Sequence, residues 1–268
     1  MLQADNVTFG YGRGLVIDEV SLAIRPGALV GILGPNGSGK TTLLRLLAGT
    51  LKPASGAVSL DGQSVAAISR RALARRFAIV PQETHLAFDY SVLEIVLMGR
   101  YPHLGTFEME RPDDIACALR ALDSTGTERL ADRQFQTLSG GEKQRVIIAS
   151  ALAQLEVGPS AQGPVPGRVL FLDEPTASLD LRYQIEVAQL IRRLHRERGM
   201  AIVLSTHDLH FAAAVCDDVV LLRAGRVLAQ GAAADMLSER RIADLYSLED
   251  AHLQAFDLAR LAMRPQSS

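Results

Sequence analysis

Short apolar runs, separated by glycine and proline, fill the first third of the chain and predict β-strands. They lie at residues 7–9, 20–24, 28–33 and 58–60, and the last is followed by Asp61-Gly62, a dipeptide typical of hairpin turns. The run at 28–33 has no polar side chain, which is the pattern of a strand buried on both faces. We therefore expect antiparallel sheet beside one buried strand.

Apolar positions change to a helical spacing of three or four residues between residues 91 and 155. Three segments share this spacing, with apolar faces at Val92, Ile95, Val96 and Met98, at Ile115, Leu119 and Leu122, and at Val146, Ile147, Ala149, Leu152 and Leu155. The stretch 158–167 follows them, rich in glycine and proline and free of charge, and we expect it to form a surface loop.

Two further apolar runs, at residues 169–172 and 201–204, predict parallel strands that are buried on both faces. A helical pattern at 184–198 lies between them, so the three segments form a β-α-β unit. Residues 219–222 and 227–228 are expected to close the sheet, and helical periodicity returns from about residue 232. The pattern thus predicts an α/β protein with a mixed sheet.

The composition is that of a folded protein, because 48% of the 268 residues are hydrophobic and 22% are charged. The net charge of -2 argues against a dedicated nucleic-acid binder, so no nucleic-acid partner is expected. Cys117 and Cys216 are too few for a disulfide scaffold and are expected to be core thiols. No signal peptide is visible, and no apolar run approaches the ~18 residues of a membrane span. We expect a cytoplasmic protein that reaches a membrane only through a partner.

The segment Gly34-Pro35-Asn36-Gly37-Ser38-Gly39-Lys40-Thr41 follows the buried strand and matches the pattern G-x-x-x-x-G-K-[ST]. Its glycines let several backbone N–H groups face one anion, and the helix that continues through Thr42 adds the positive end of its dipole. Lys40 supplies a mobile charge for the β- and γ-phosphates, and Thr41 supplies a hydroxyl to Mg²⁺. The alternative is a glycine-rich turn without a ligand, but one of only three lysines stands at the required position.

The apolar strand at 169–172 ends in two carboxylates, Asp173 and Glu174. A buried strand delivers its acids at its C-terminal end, where the ligand sites of open α/β sheets lie. Asp173 is suited to hold Mg²⁺, and Glu174 is suited to act as general base on an attacking water. The alternative is that both acids cap the next helix; the phosphate loop in the same chain favours the catalytic interpretation.

His207 follows the next buried strand and is expected at the same sheet edge as Glu174. A single histidine is often structural, but its place after a strand favours contact with the γ-phosphate or the water.

Leu138-Ser139-Gly140-Gly141-Glu142 opens the helix that runs to about Leu155. Ser139 and Glu142 fit a capping box, which alone would explain most such patterns. The two glycines do not fit it, because each costs about 1 kcal/mol relative to alanine within a helical turn. They are explained if something approaches the backbone closely. Our hypothesis is that this helix start closes over nucleotide held by another copy, in a head-to-tail dimer with two shared sites.

Together these motifs resemble the ATP-binding subunit of ABC transporters over about residues 1–235. The resemblance implies a P-loop NTPase core with a mixed sheet, an antiparallel β subdomain and a helical subdomain at about 86–160, followed by a helical tail at 236–268. In that family an aromatic residue upstream of the phosphate loop stacks on adenine, and Tyr11 stands there. Gln82, after the strand that ends in Val80-Pro81, matches the glutamine that touches Mg²⁺ and relays to the membrane subunit, and Ser178-Leu179-Asp180 matches a loop at the dimer interface.

The resemblance implies ATP and Mg²⁺ as ligands and hydrolysis of ATP. The nucleotide-binding residues it implies are Tyr11, Gly34, Pro35, Asn36, Gly37, Ser38, Gly39, Lys40, Thr41, Thr42, Gln82, Ser139, Gly140, Gly141 and Asp180; the metal-binding residues are Thr41, Gln82 and Asp173; and the catalytic residues are Glu174, His207 and Lys40. The implied partners are a second ATPase subunit, two integral-membrane permease subunits and, indirectly, a substrate-binding protein. The implied location is the cytoplasmic face of the inner membrane.

Residues 91–105, which include Gly99-Arg100-Tyr101-Pro102, look like the membrane-contacting segment of importers for iron-siderophore, haem or cobalamin complexes. A plain amphipathic helix and turn is the alternative for this segment. For the whole chain, the alternatives are an exporter subunit and an ABC protein that acts on ribosomes or DNA.

Overall fold

The computed structural model describes residues 1–12, 14–84, 86–105, 107–156, 167–177 and 179–248. The strands found there are β1 Leu2–Phe9, β2 Ile17–Ile24, β3 Leu29–Leu33, β4 Ser55–Leu60, β5 Gln63–Ser64, β6 Phe77–Val80, β7 Val169–Asp173, β8 Ala201–Thr206, β9 Asp218–Arg223 and β10 Arg226–Ala232. The α-helices are α1 Lys40–Leu47, α2 Arg70–Ala74, α3 Val92–Met98, α4 Pro112–Ser124, α5 Gly140–Leu155, α6 Leu181–Arg198, α7 Leu209–Val215, α8 Ala233–Met236 and α9 Glu239–Tyr246.

The chain divides into two compact units. Met1–Ala67 together with the chain from Ala201 forms the first, which we call the phosphate-loop unit, and Ile68–Met200 forms the second, which we call the helical unit.

The phosphate-loop unit contains the antiparallel sheet that the first third of the sequence predicts, in the order β2-β1-β4-β5. Beside it, β3 pairs in parallel with β8 and β9, and β9 pairs antiparallel with β10. Every residue of β3 and β8 is buried, as their continuous apolar runs predicted. Gly31 lies at the centre of β3, where an added Cβ would approach the buried Cys216 sulfur to 2.8 Å.

The helical unit is organised around α5, which packs against α3, α4 and the strand β6. β6 in turn pairs in parallel with β7, whose five residues are all buried. Gly99, just after α3, passes so close to α5 that an added Cβ would lie 2.2 Å from the Ser150 carbonyl oxygen. Cys117 is a free, buried thiol on α4, as expected, and Cys216 is the second.

Arg100 is buried inside the helical unit rather than presented to a partner. Its guanidinium donates to Asp114 Oδ1 at 2.9 Å and to the Ala153 and Glu156 carbonyl oxygens, both at 2.6 Å. These carbonyls end α5, where a positive charge also compensates the helix dipole. The Gly99-Arg100 pair, interpreted from sequence as part of a membrane-contacting segment, therefore holds α3 and α4 to the end of α5.

The first part of the C-terminal tail folds onto the phosphate-loop unit. α8 and α9 pack on β9, and Ile242 and Leu245 are buried as the periodicity predicted. The stretch 158–166 and the segment 249–268, both mentioned in the sequence predictions, lie outside the described residues. Among the described helices, none has the length and apolar character that crossing a membrane requires.

Candidate nucleotide-binding site

The phosphate loop connects the buried end of β3 to the start of α1 in the phosphate-loop unit. Gly37 and Gly39 have φ angles of 79° and 100°, a region that glycine enters without steric cost. Gly34 allows a close backbone approach, because an added Cβ would lie 2.1 Å from the Leu222 carbonyl oxygen. The close approaches at Gly34 and Gly39 and the positive φ at Gly37 explain why glycine stands at these positions of the motif.

Lys40 folds back over this loop. Its Nζ donates to the carbonyl oxygens of Gly34 at 2.9 Å and Pro35 at 3.2 Å, and the residue is only 5% exposed. The ammonium group is thus held at the same turn that the backbone forms, where it supplies a positive charge for a phosphate.

The start of α1 has the features of an anion cradle. Gly39 is its N-cap and has no side chain that could accept from the first turn of the helix. The Ser38 hydroxyl is buried without a hydrogen-bond partner in the described residues, which is uncommon in a folded protein. A buried hydroxyl without a partner and a buried lysine, both beside a glycine N-cap, fit a bound phosphate better than they fit a ligand-free turn.

The remaining predicted nucleotide contacts of this unit lie within the loop, on the first turn of α1 and upstream at Tyr11. Thr41 is half-buried and Thr42 is buried on the first turn of α1, whereas Asn36 is exposed. Tyr11 is 59% exposed, and its ring meets the ring of Phe9 edge-on at a centroid distance of 4.9 Å. An exposed ring supported on one edge leaves a face open for stacking.

His207 follows β8 directly, as predicted, and its side chain is exposed. The Tyr246 hydroxyl, at the end of α9, donates to the His207 carbonyl oxygen at 3.0 Å. Nothing in the sequence pattern pointed to this contact, because the tyrosine lies 39 residues further along the chain.

In the helical unit, Asp173 and Glu174 stand at the end of β7. Asp173 is the last residue of the strand and is 3% exposed. Glu174 is half-buried, and its φ of 45° is a strained value for a residue other than glycine. Strain of this kind concentrates at functional sites, where the surrounding structure holds a side chain in one direction. Gln82 lies beyond the end of the neighbouring strand β6 and is exposed.

Ser139 and Glu142 form the predicted capping box at the start of α5. The Glu142 carboxylate accepts from the Ser139 backbone N–H and hydroxyl, both at 2.9 Å, while the Ser139 hydroxyl accepts from the Glu142 N–H at 3.4 Å. The hydrogen bond from the Ser139 backbone lowers the pKa of Glu142, and the hydroxyl lowers it further. Glu142 is thus engaged within its own chain.

Gly140 and Gly141 face different surroundings. An added Cβ on Gly141 would lie 2.2 Å from the Tyr183 ring, so this glycine is required by a residue of α6 in the same chain. Gly140 is exposed, and its added Cβ would meet only Leu179 at 3.4 Å. The expectation that something approaches the backbone closely is met at Gly141 by Tyr183 of the same chain, while the Gly140 backbone is exposed. Contact of either glycine with nucleotide stays a prediction. The sequence carried no signal for Tyr183.

Asp180 caps α6, since its carboxylate accepts from the Tyr183 backbone N–H at 3.2 Å. The residue is exposed, and its neighbour Ser178 lies outside the described residues. Capping of α6 explains why an aspartate stands at this position. The role of Asp180 at a dimer interface stays a prediction.

The predicted residues thus fall into two groups. The phosphate-loop unit brings together the whole loop and places His207 directly after β8, the strand paired with β3. The helical unit places Asp173 at the end of β7, Glu174 directly after it, and Gln82 after the neighbouring strand β6. The three residues assigned to Mg²⁺, which are Thr41, Gln82 and Asp173, offer only oxygen ligands, the donor set that Mg²⁺ prefers.

Comparison with known proteins identifies the family. Residues 17–177 match the family model described as ABC transporter. The chain belongs to the ABC transporter family. The hemin import ATP-binding protein of Bordetella pertussis is 43% identical over 249 residues, covering 92% of each chain.

Two solved structures extend the likeness to the fold of this ABC protein. A transporter assigned to the metal-chelate type, in an inward-facing conformation, shares 31% identity at a TM-score of 0.77, over 91% of this chain and 87% of the other. A dimeric ATP-binding cassette in a post-hydrolysis state with ADP and Pi shares 29% identity at a TM-score of 0.71, over 87% of this chain and 99% of the other. The α/β cassette expected from the sequence is confirmed, and the protein is an ABC-family ATPase.

Proposed function

We propose that this protein binds and hydrolyses ATP to drive import of a metal chelate, of the haem, cobalamin or iron-siderophore class, through separate membrane subunits. The observation that carries the catalytic part is the phosphate loop, where Lys40 is buried over a turn that only glycine can form. The likeness to a hemin importer subunit supports the transport part.

Binding of ATP begins at the phosphates. The N–H groups at the start of α1 and the Lys40 ammonium neutralise the β- and γ-phosphates, while Tyr11 stacks on the adenine. Thr41, Gln82 and Asp173 offer oxygen ligands that would hold Mg²⁺, and the ion would supply positive charge to offset the negative charge of the phosphate oxygens.

Hydrolysis needs a base and a group that senses the γ-phosphate. Glu174, held in a strained backbone conformation, takes a proton from the attacking water. His207, exposed at the end of a buried strand, donates to the γ-phosphate or orients that water. Ser139 and the open Gly140 backbone contact the γ-phosphate of nucleotide bound to a second copy, while Asp180 lies at the interface of the two copies.

Movement of the membrane subunits requires a surface that they contact. Tyr101, Phe107 and Met109 are large apolar side chains exposed on the helical unit, close in sequence to the buried anchor Arg100. Arg71 and Arg75 fix the same segment by donating to the Pro102 carbonyl oxygen at 2.9 and 2.8 Å. We assign the permease contact to these exposed side chains.

Two variants separate binding from chemistry. Lys40→Ala removes a charge-assisted contact to two phosphates, and we expect ATP affinity to fall about 100-fold, measured by titration with a fluorescent ATP analogue. Glu174→Gln keeps the size of the side chain but removes the base, so affinity is retained while phosphate release falls at least about 100-fold. Normal hydrolysis by Glu174→Gln would contradict the assignment of the base.

The substrate class is tested on the assembled transporter. Co-purified membrane subunits and their binding protein are reconstituted with this chain, and ATP hydrolysis is measured with hemin, cobalamin or a ferric siderophore. Stimulation by one of these supports the proposal. An exporter subunit would instead respond to its substrate without any binding protein, and that result would contradict import.

A further inference from the structure

The C-terminal helix α9 ends beside the loop that carries His207. Tyr246 is its last residue, and the phenol oxygen lies 3.0 Å from the His207 carbonyl oxygen, to which it donates. This hydrogen bond joins the tail to the segment between β8 and α7, and both parts belong to the phosphate-loop unit.

The helix that presents Tyr246 is fixed on its own side. Ile242 and Leu245 are buried, and the Arg223 guanidinium of β9 donates to the Asp244 carbonyl oxygen. The helix closes in a turn in which the Leu248 N–H donates to the Ala243 carbonyl oxygen at 2.9 Å. Packing and capping of α9 therefore fix the position of the Tyr246 phenol.

The loop around His207 is ordered by two further hydrogen bonds. The Asp208 N–H donates to the Thr206 hydroxyl and the Phe211 N–H donates to the Asp208 carboxylate, both at 3.0 Å. The tail adds a third hydrogen bond to this loop, from the Tyr246 hydroxyl to the His207 carbonyl oxygen. A phenol is protonated at neutral pH and can donate. Burial raises the pKa of the Tyr246 phenol and the Asp208 charge raises it further, in the same sense.

We infer that Tyr246 is a positioning residue for His207: its hydroxyl fixes the His207 carbonyl and thereby the direction in which the imidazole leaves the backbone. The tail up to residue 248 then contributes to catalysis through this one hydrogen bond. The inference rests on the proposed function, because it gives Tyr246 a role only if His207 contacts the γ-phosphate or the water.

The first test is Tyr246→Phe in the full chain, which removes the hydroxyl and keeps the ring. We expect kcat for ATP hydrolysis to fall about fivefold, with KM for ATP unchanged and the melting temperature lowered by no more than about 4 °C, the loss that one hydrogen bond causes. Thr50→Val is the matched control, because the Thr50 hydroxyl also donates to a backbone carbonyl at 3.0 Å, that of Arg45, in an exposed setting. Its kcat should equal that of the unmodified protein.

The second test repeats Tyr246→Phe in a His207→Ala background. If the hydroxyl acts through His207, the second substitution causes no further loss, whereas an independent structural role gives the same fivefold fall in both backgrounds. A fivefold fall in kcat in the His207→Ala background would overturn this inference alone. So would a normal kcat for Tyr246→Phe when His207→Ala by itself lowers kcat. A normal kcat for His207→Ala would overturn the proposed role of His207 and this inference with it.

Discussion

Gly140 and Gly141 are adjacent, but different neighbours explain them. The Tyr183 ring occupies the space where a Gly141 side chain would lie, whereas Gly140 opens to solvent at the start of α5. The first glycine to be tested for contact with nucleotide is therefore Gly140. The sequence pattern did not distinguish the two glycines, because a contact between α5 and α6 at a single position does not change the hydrophobic periodicity.

Gly141→Ala should destabilise the protein by about 1–3 kcal/mol, since the added methyl group overlaps the Tyr183 ring. Gly140→Ala should leave the free energy of unfolding unchanged or raise it by up to about 1 kcal/mol, because alanine favours the helix and has room there. Urea denaturation of the two variants measures both values. Equal losses in the two variants would contradict the distinction between them.

Among the elements, the end of α5 is held by a buried cation. Arg100 pairs with Asp114 and donates to two carbonyl oxygens at the end of this helix. A buried charge that loses its partner is costly, whereas an exposed pair contributes little. The stability of the helical unit should therefore depend on Arg100 far more than on the surface arginines around it.

Arg100→Ala should lower the free energy of unfolding by about 3–5 kcal/mol, because it leaves the Asp114 carboxylate buried without its cation. Arg120→Ala is the control: Arg120 pairs with Glu156 near the same helix end, but 48% of its side chain is exposed. We expect a loss of at most about 1 kcal/mol there. Similar losses for both arginines, in the same denaturation experiment, would show that Arg100 is not the anchor.

How far the elements could be predicted from sequence depends on where they are buried. β3, β7 and β8 were predicted because strands buried on both faces need apolar residues throughout. The capping box at Ser139 was predicted because it is local in sequence. The burial of Arg100 was not predicted, because the residue type alone does not show whether an arginine contacts a partner or caps the end of a helix inside its own unit.

For the whole molecule, the predicted site residues are divided between two compact units. The phosphate loop and His207 belong to one unit, and Asp173, Glu174, Ser139 and Gly140 belong to the other. Motif chemistry could be predicted residue by residue, because it depends on short spacings. The contact of Tyr246 with His207 could not, because it joins positions 39 residues apart.

The proposed mechanism requires that two copies of this protein enclose ATP, each contributing the helix start at Ser139 to nucleotide bound by the other. The measurement is the mass in solution of Glu174→Gln with saturating ATP and Mg²⁺, by light scattering, because this variant should hold ATP without hydrolysing it. We predict a dimer that becomes monomeric when Ser139→Arg is added, since the larger side chain fills the open helix start. A Glu174→Gln protein that binds ATP and remains strictly monomeric would contradict the account.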